Sequence, residues 1–161
     1  MACEKVLICG AGPVGLTAAL ELARHGIRPR IIEVNDGPTE LSKALVVWRR
    51  TLKVLDTEIP FERFLEHHGP MKSARLVSEL KDLRTIDLTE DQISESEFPT
   101  GVLIPQSDTE RLLIEALRVH GVEVERGRRL SHFTASDTGV ACTIQADDSV
   151  EQFEADWLIG C

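Results

Sequence analysis

The stretch Val6-Leu-Ile-Cys-Gly10-Ala-Gly12-Pro-Val-Gly15 constrains this chain more than any other. Four apolar residues run into three glycines, an Ala- and Leu-rich segment follows to Gly26, and a second apolar run, Arg30-Ile-Ile-Glu33, ends on an acid. The spacing predicts strand, tight turn, helix and strand, the βαβ opening of a dinucleotide-binding sheet. In such a unit Gly10 permits the turn, Gly12 lets the backbone approach a pyrophosphate, and Gly15 lets the helix pack closely on the sheet. The open helix N-terminus offers N–H donors and the positive end of its dipole. Glu33 lies 23 residues after Gly10, where a carboxylate accepts hydrogen bonds from an adenosine ribose. The same charge repels a ribose 2′-phosphate, so NADP is a poor ligand for this site. The competing reading is a βαβ unit whose glycines serve packing alone.

Periodicity and turn chemistry supply the other elements. A helix is expected from about Val14 to Arg24, with Leu16, Ala19, Leu20 and Ala23 facing the sheet. Leu45, Trp48, Leu52 and Leu55 are spaced for a second helix over 40–55, and 61–67 reads as a short third. Lys72 to Glu79 alternates as a strand, with Arg84 to Leu88 as its hairpin partner, and 89–97 reads as an exposed acidic loop. After Val102-Leu-Ile104, the capping box Ser107-Asp-Thr-Glu110 announces a helix that ends at Gly121. Val122 to Val124 returns to the sheet. Three strands over 129–136, 140–146 and 150–154, joined by short Asp/Gly/Ser turns, form an antiparallel meander, and Asp156-Trp-Leu-Ile-Gly160 is a last apolar strand. The expected fold class is α/β, a Rossmann-like βαβ sheet with an antiparallel β-meander, interrupted by an excursion near 71–98.

With 161 residues, 42% hydrophobic and 28% charged, the chain has the composition of a soluble globular domain. Its net charge of −9 argues against a nucleic-acid surface, and the densest basic patch, Arg126, Arg128 and Arg129, reads as a solvated strand edge. Arg49 reads as surface charge. The glycines and Pro13 interrupt the apolar run after Lys5, which excludes a signal peptide there, and no run approaches membrane-spanning length. A cytoplasmic location is expected. Four cysteines without C-x-x-C spacing read as reduced thiols, and five histidines without ligand spacing read as surface residues, so no metal site is expected.

Taken together, the pattern resembles the FAD-binding half of the aromatic-ring hydroxylases, single-component flavoprotein monooxygenases of the para-hydroxybenzoate hydroxylase type. Four segments carry the resemblance: Gly10 to Gly15 through Glu33; Ser42-Lys-Ala-Leu45 with Arg50-Thr-Leu-Lys-Val-Leu55; Ile104-Pro-Gln106 with Glu110, Leu113 and Leu117; and Asp156 to Cys161. They span residues 1–161 in the family's order. The resemblance implies that Gly10, Gly12, Pro13, Val14 and Gly15 hold the FAD pyrophosphate and Glu33 the adenosine ribose. It places Ser42, Lys43 and Ala44 near the flavin and Gln106 at the ribityl and phosphate region. Lys43 departs from the Arg-Ala common there and lacks the arginine fork. The excursion at 71–98 resembles the first strands of the family's substrate domain. The chain resembles roughly the first third of such an enzyme, without the later Asp-Gly and Gly-Asp motifs, and so reads as a truncated FAD-binding domain.

The function implied is NAD(P)H- and O2-dependent hydroxylation of a small aromatic or polyketide-like substrate. FAD does the chemistry, and this chain alone is expected to be inactive. No side chain stands out as a catalytic acid, base or nucleophile. A nicotinamide-dependent dehydrogenase is disfavoured, because the chain has no tyrosine and its sequence suggests no His–Asp pairing. A non-catalytic dinucleotide-binding or interaction module remains the alternative, with self-association expected through the sheet surface that the family's later strands would cover.

Overall fold

A computed structural model describes residues 5–37, 46–66, 68–78, 81–88, 97–147 and 149–161. In chain order the elements are β1 (Val6–Cys9), α1 (Pro13–Arg24), β2 (Arg30–Ile32), β3 (Val46–Trp48), α2 (Arg49–Leu55), a 3-10 turn (Phe61–Phe64), β4 (Gly69–Pro70), β5 (Ser73–Ser78) and β6 (Lys81–Asp87). There follow β7 (Gly101–Leu103), α3 (Gln106–Val119), β8 (Val124–Glu125), β9 (Arg129–Ser136), β10 (Gly139–Ala146), β11 (Ser149–Ala155) and β12 (Trp157–Gly160). The chain divides into two compact units, 1–40 with 109–161, and 41–108, the division falling within α3.

In the first unit, β12, β1, β2 and β8 form a parallel sheet in that order. Parallel strands bury both faces, which is why β1 is apolar without alternation and Leu7 and Ile8 are both fully buried. On one face α1 lies against β1 and β2, its buried stripe of Leu16, Ala19, Leu20 and Ala23 set by the helical period. On the other face Leu7 and Ile32 share a core with Cys142, Ile144 and Ala155 of the antiparallel meander β9–β10–β11.

Arg30 fastens the two layers of strands. Its guanidinium is bidentate to Glu125 of β8 at 2.7 and 2.8 Å and to Glu151 of β11 at 2.5 and 2.7 Å. It also lies over the Phe153 ring, 4.9 Å from the centroid. Arg128 adds contacts to Glu125 and Glu151 at 3.6 and 3.7 Å. Of the basic patch, only Arg129 is exposed on an edge strand as expected; Arg126 and Arg128 are half-buried. Arg128 closes a network with two acids, and Arg126 donates to the Gly37 carbonyl at 2.7 Å.

In the second unit β7 lies between β3 and β4, antiparallel to both. The helix expected over 40–55 is shorter: Val46–Trp48 is a strand, and the helix begins at Arg49. Two β-branched residues paired with Gly101–Leu103 outweigh a helical spacing in which Leu52 and Leu55 are buried but Trp48 is exposed. Arg49 is not idle surface charge either. It donates to the Phe98 carbonyl at 3.0 Å and to Thr100 Oγ1 at 3.1 Å, tying α2 to the segment before β7. The hairpin β5–β6 forms as expected, extending one pair of strands over 73–87. The expected loop at 89–97 falls, except for its last residue, outside the described residues. Among the described residues, no helix is long and apolar enough to cross a membrane.

Candidate functional site

The glycine loop is stacked on the last strand. Gly10 leaves β1 with φ +108, and its N–H donates to the Ile32 carbonyl at 2.9 Å. A side chain at Gly10 would collide with the Cys161 carbonyl, and one at Gly15 with the Gly10 carbonyl. Both glycines are therefore demanded by the protein itself.

Gly12 is different. It caps α1 with φ −73 and ψ 178, angles open to any residue, and a Cβ there would meet nothing within 4 Å. Neither strain nor packing inside this chain calls for a glycine at position 12. Its bare Cα leaves space directly before the first turn of α1. Pro13 begins the helix, the Leu16 N–H is the first to reach an intrahelical acceptor (Gly12, 2.9 Å), and no side chain caps the end. The N–H groups of Val14 and Gly15 lie in the first turn, where the helix provides no acceptor. An anionic group is what such a cradle fits.

Glu33 follows β2 and is locked beside that loop. One carboxylate oxygen accepts the Ala11 N–H at 2.9 Å; the other accepts the Asn35 N–H at 2.9 Å and the Asn35 side-chain amide at 2.7 Å. Partial burial pushes the acid up, but these three donors and the nearby Arg126 charge outweigh it and hold the carboxyl below its ordinary range. Glu33 therefore stays ionised at neutral pH. A carboxylate offers about four acceptor positions, so a hydroxyl can still be bound.

The structure brings Gly10, Gly12, Pro13, Val14, Gly15 and Glu33 into one place. Gln106 is the half-buried first residue of α3, ahead of the cap that Ser107 announces, and belongs to the second unit. Ser42, Lys43 and Ala44 lie outside the described residues.

The histidine expectation needs correction. His68 Nε2 lies 3.0 Å from Asp108 Oδ2, with the His68 side chain mostly buried. The residues are far apart in sequence and meet because β4 pairs with β7, which leads directly into α3. Cys9 and Cys142 are poor nucleophiles. Cys9 is pushed up to about 11 by burial and by neighbouring Cys142 and Cys161, and Cys142 is raised by burial and by Glu154.

Comparison with known proteins settles the kinship. Residues 4–161 match the FAD binding domain family. The chain belongs to that family. Its relatives include the 6-methylpretetramide 4-monooxygenase of Streptomyces rimosus, 32% identical over 156 residues, with 97% of this chain and 28% of the relative covered. The rifampicin monooxygenase of Streptomyces venezuelae is 30% identical over 158 residues, covering 97% of this chain and 31% of the relative. Among solved structures, the anhydrotetracycline hydroxylase OxyS of Streptomyces rimosus superposes with a TM-score of 0.84 at 29% identity, covering 98% of this chain and 31% of that one. The chain thus spans less than a third of the length of these relatives. The Rossmann-like α/β fold and the FAD-dependent hydroxylase family expected from the sequence are both borne out.

Proposed function

We propose that this chain is the FAD-binding portion of a flavoprotein monooxygenase. Gly10, Gly12, Pro13, Val14 and Gly15 cradle the pyrophosphate, and Glu33 accepts the hydroxyls of the adenosine ribose. Gln106 reaches the ribityl and phosphate region, and Ser42, Lys43 and Ala44 serve the flavin end. The observation that carries this reading is Gly12, a glycine that its own backbone angles and neighbours do not require.

Bound FAD would supply the redox chemistry by which NAD(P)H and O2 hydroxylate an aromatic or polyketide-like small molecule in the whole protein. The chain's own residues bind and orient. Residues 71–98 begin the substrate domain, and the cytoplasm, where reduced nicotinamide is supplied, is the setting. For the 161-residue chain alone, the edge strand β12, whose Trp157 is 60% exposed, favours self-association. Sedimentation of the purified chain reads that directly: a concentration-independent monomer would reject it.

A flavin titration tests the main reading. FAD added to the chain should quench flavin fluorescence and raise the thermal midpoint, since ligand at a hundred times its dissociation constant adds about 2.7 kcal/mol. Glu33→Ala should abolish the shift, and NADP should produce none. Binding of NAD with no binding of FAD would overturn the assignment.

A further inference from the structure

Glu33 is held by a segment nearly a hundred residues away. Its N–H donates to the Glu125 carbonyl, and its carbonyl accepts the Arg128 N–H, both at 2.9 Å, so the turn after β8 embraces the Glu33 backbone from both sides. Between those two contacts, the Arg126 guanidinium turns back to the Gly37 carbonyl at 2.7 Å. Gly37 closes the turn that begins after Glu33 and carries Asn35, the residue giving two of the three donors on the carboxylate. The two turns are closely fitted: Gly127 has φ +65, and a Cβ there would come within 2.9 Å of Asp36 Oδ1.

We propose that Arg126 is a positioning residue of the adenosine subsite, setting the Glu33 carboxylate through the 34–37 turn and through its own charge. This rests on the reading of Glu33 as the ribose ligand. Arg126 reaches the ligand through Glu33. The other charged groups around Glu33 are committed elsewhere. Glu125 and Arg128 belong to the Arg30 and Glu151 network, and the Asp36 carboxylate lies against Gly127. The loop Gly10–Gly15 presents only backbone to Glu33, through the Ala11 N–H. Arg126 is left as the cation acting on the acid, and it favours the ionised form.

The sign of the pH dependence follows. Ribose recognition needs the carboxylate, so FAD affinity is full above the Glu33 titration and falls as pH drops through it. Removing the Arg126 charge moves that fall to higher pH.

The test is FAD affinity between pH 4 and 8 for the 161-residue chain, Arg126→Met, Arg126→Gln, Glu33→Gln and the Arg126→Gln/Glu33→Gln double variant. Arg126→Met should weaken FAD about tenfold at pH 7, the scale of one charge-assisted contact, and shift the acid limb upward. Arg126→Gln keeps a donor for Gly37 while losing the charge, so it should shift the limb with a smaller loss at pH 7. Glu33→Gln should show no limb, and adding Arg126→Gln to it should cost little more. An unmoved limb in Arg126→Gln, or the same loss with and without the Glu33 acid, overturns the proposal even if Arg126→Met fails to fold. Failure of the unsubstituted chain to bind FAD removes the proposed function and this inference with it.

Discussion

From Gly10 to Gly15 and on to Glu33, the backbone is fixed by partners inside its own unit: Gly10 on Ile32, Ala11 on Glu33, Leu16 on Gly12, and Cys161 on Cys9. In the hairpin β5–β6 the opposite holds. Leu76, Val77, Leu83 and Ile86 are 53, 49, 68 and 38% exposed, and its Arg75–Asp82 pair, at 3.5 Å, is open to solvent. The loop is specified to the atom by contacts already present. The hairpin carries apolar side chains that stay largely in water and gain correspondingly little, because stabilisation follows area removed from water. One region is finished in this chain, and the other is a surface whose value depends on what covers it.

The comparison can be broken or sharpened by substitution. The largest effect should come from Gly15→Val, which drives a side chain into the Gly10 carbonyl. We expect loss of FAD binding and a destabilisation of about 1–3 kcal/mol from overpacking, read by flavin titration and by the thermal midpoint. An intermediate effect should follow Arg30→Met, which leaves Glu125 and Glu151 facing each other without the guanidinium between them. Both acids are more than a third exposed, so solvent discounts the loss to about 1–2 kcal/mol. The side-chain hydrogen bond from Arg30 holds the Glu151 carboxyl below its ordinary 4.5 in the folded state. Its stabilisation is therefore full above that value and lost as pH falls below it. Denaturant melts should show Arg30→Met less sensitive than the unsubstituted chain to acid below pH 4.5. The smallest effect should be that of Leu83→Lys, within about 0.5 kcal/mol. A larger drop would mean that the hairpin is packed within this chain after all.

The first unit was legible because its signals are local. Glycine spacing, an apolar strand on either side and an acid at the right distance all lie within residues 6–33, and Gly10 and Gly15 took the turn and close-packing roles their positions predict. The meander was equally plain, since short polar turns fix antiparallel neighbours. What was missed is non-local. Val46–Trp48 satisfies a helical spacing and becomes a strand only because Gly101–Leu103 lies alongside, with Gly101 bare against Val46. The His68–Asp108 pair, the Arg30 network and the hold of Arg126 on the Glu33 turn join residues from different elements, and no periodicity announces them. The one sequence signal for Arg126 was the Glu-Arg-Gly-Arg run directly after the strand that returns beside β2.

The stacking of Gly10 and Gly15 under Cys161 also has a consequence in time. β1 finds β2 early, but its other neighbour, β12, is made about 150 residues later. At about 5–20 residues per second, a ribosome takes roughly 8–30 s to cover that interval. Throughout it, one edge of the first strand is bare and the glycine loop lacks its floor. The glycine loop is thus made well before the strand that completes it, and a nascent chain that stalls before Trp157 exposes an apolar β1 edge to its neighbours.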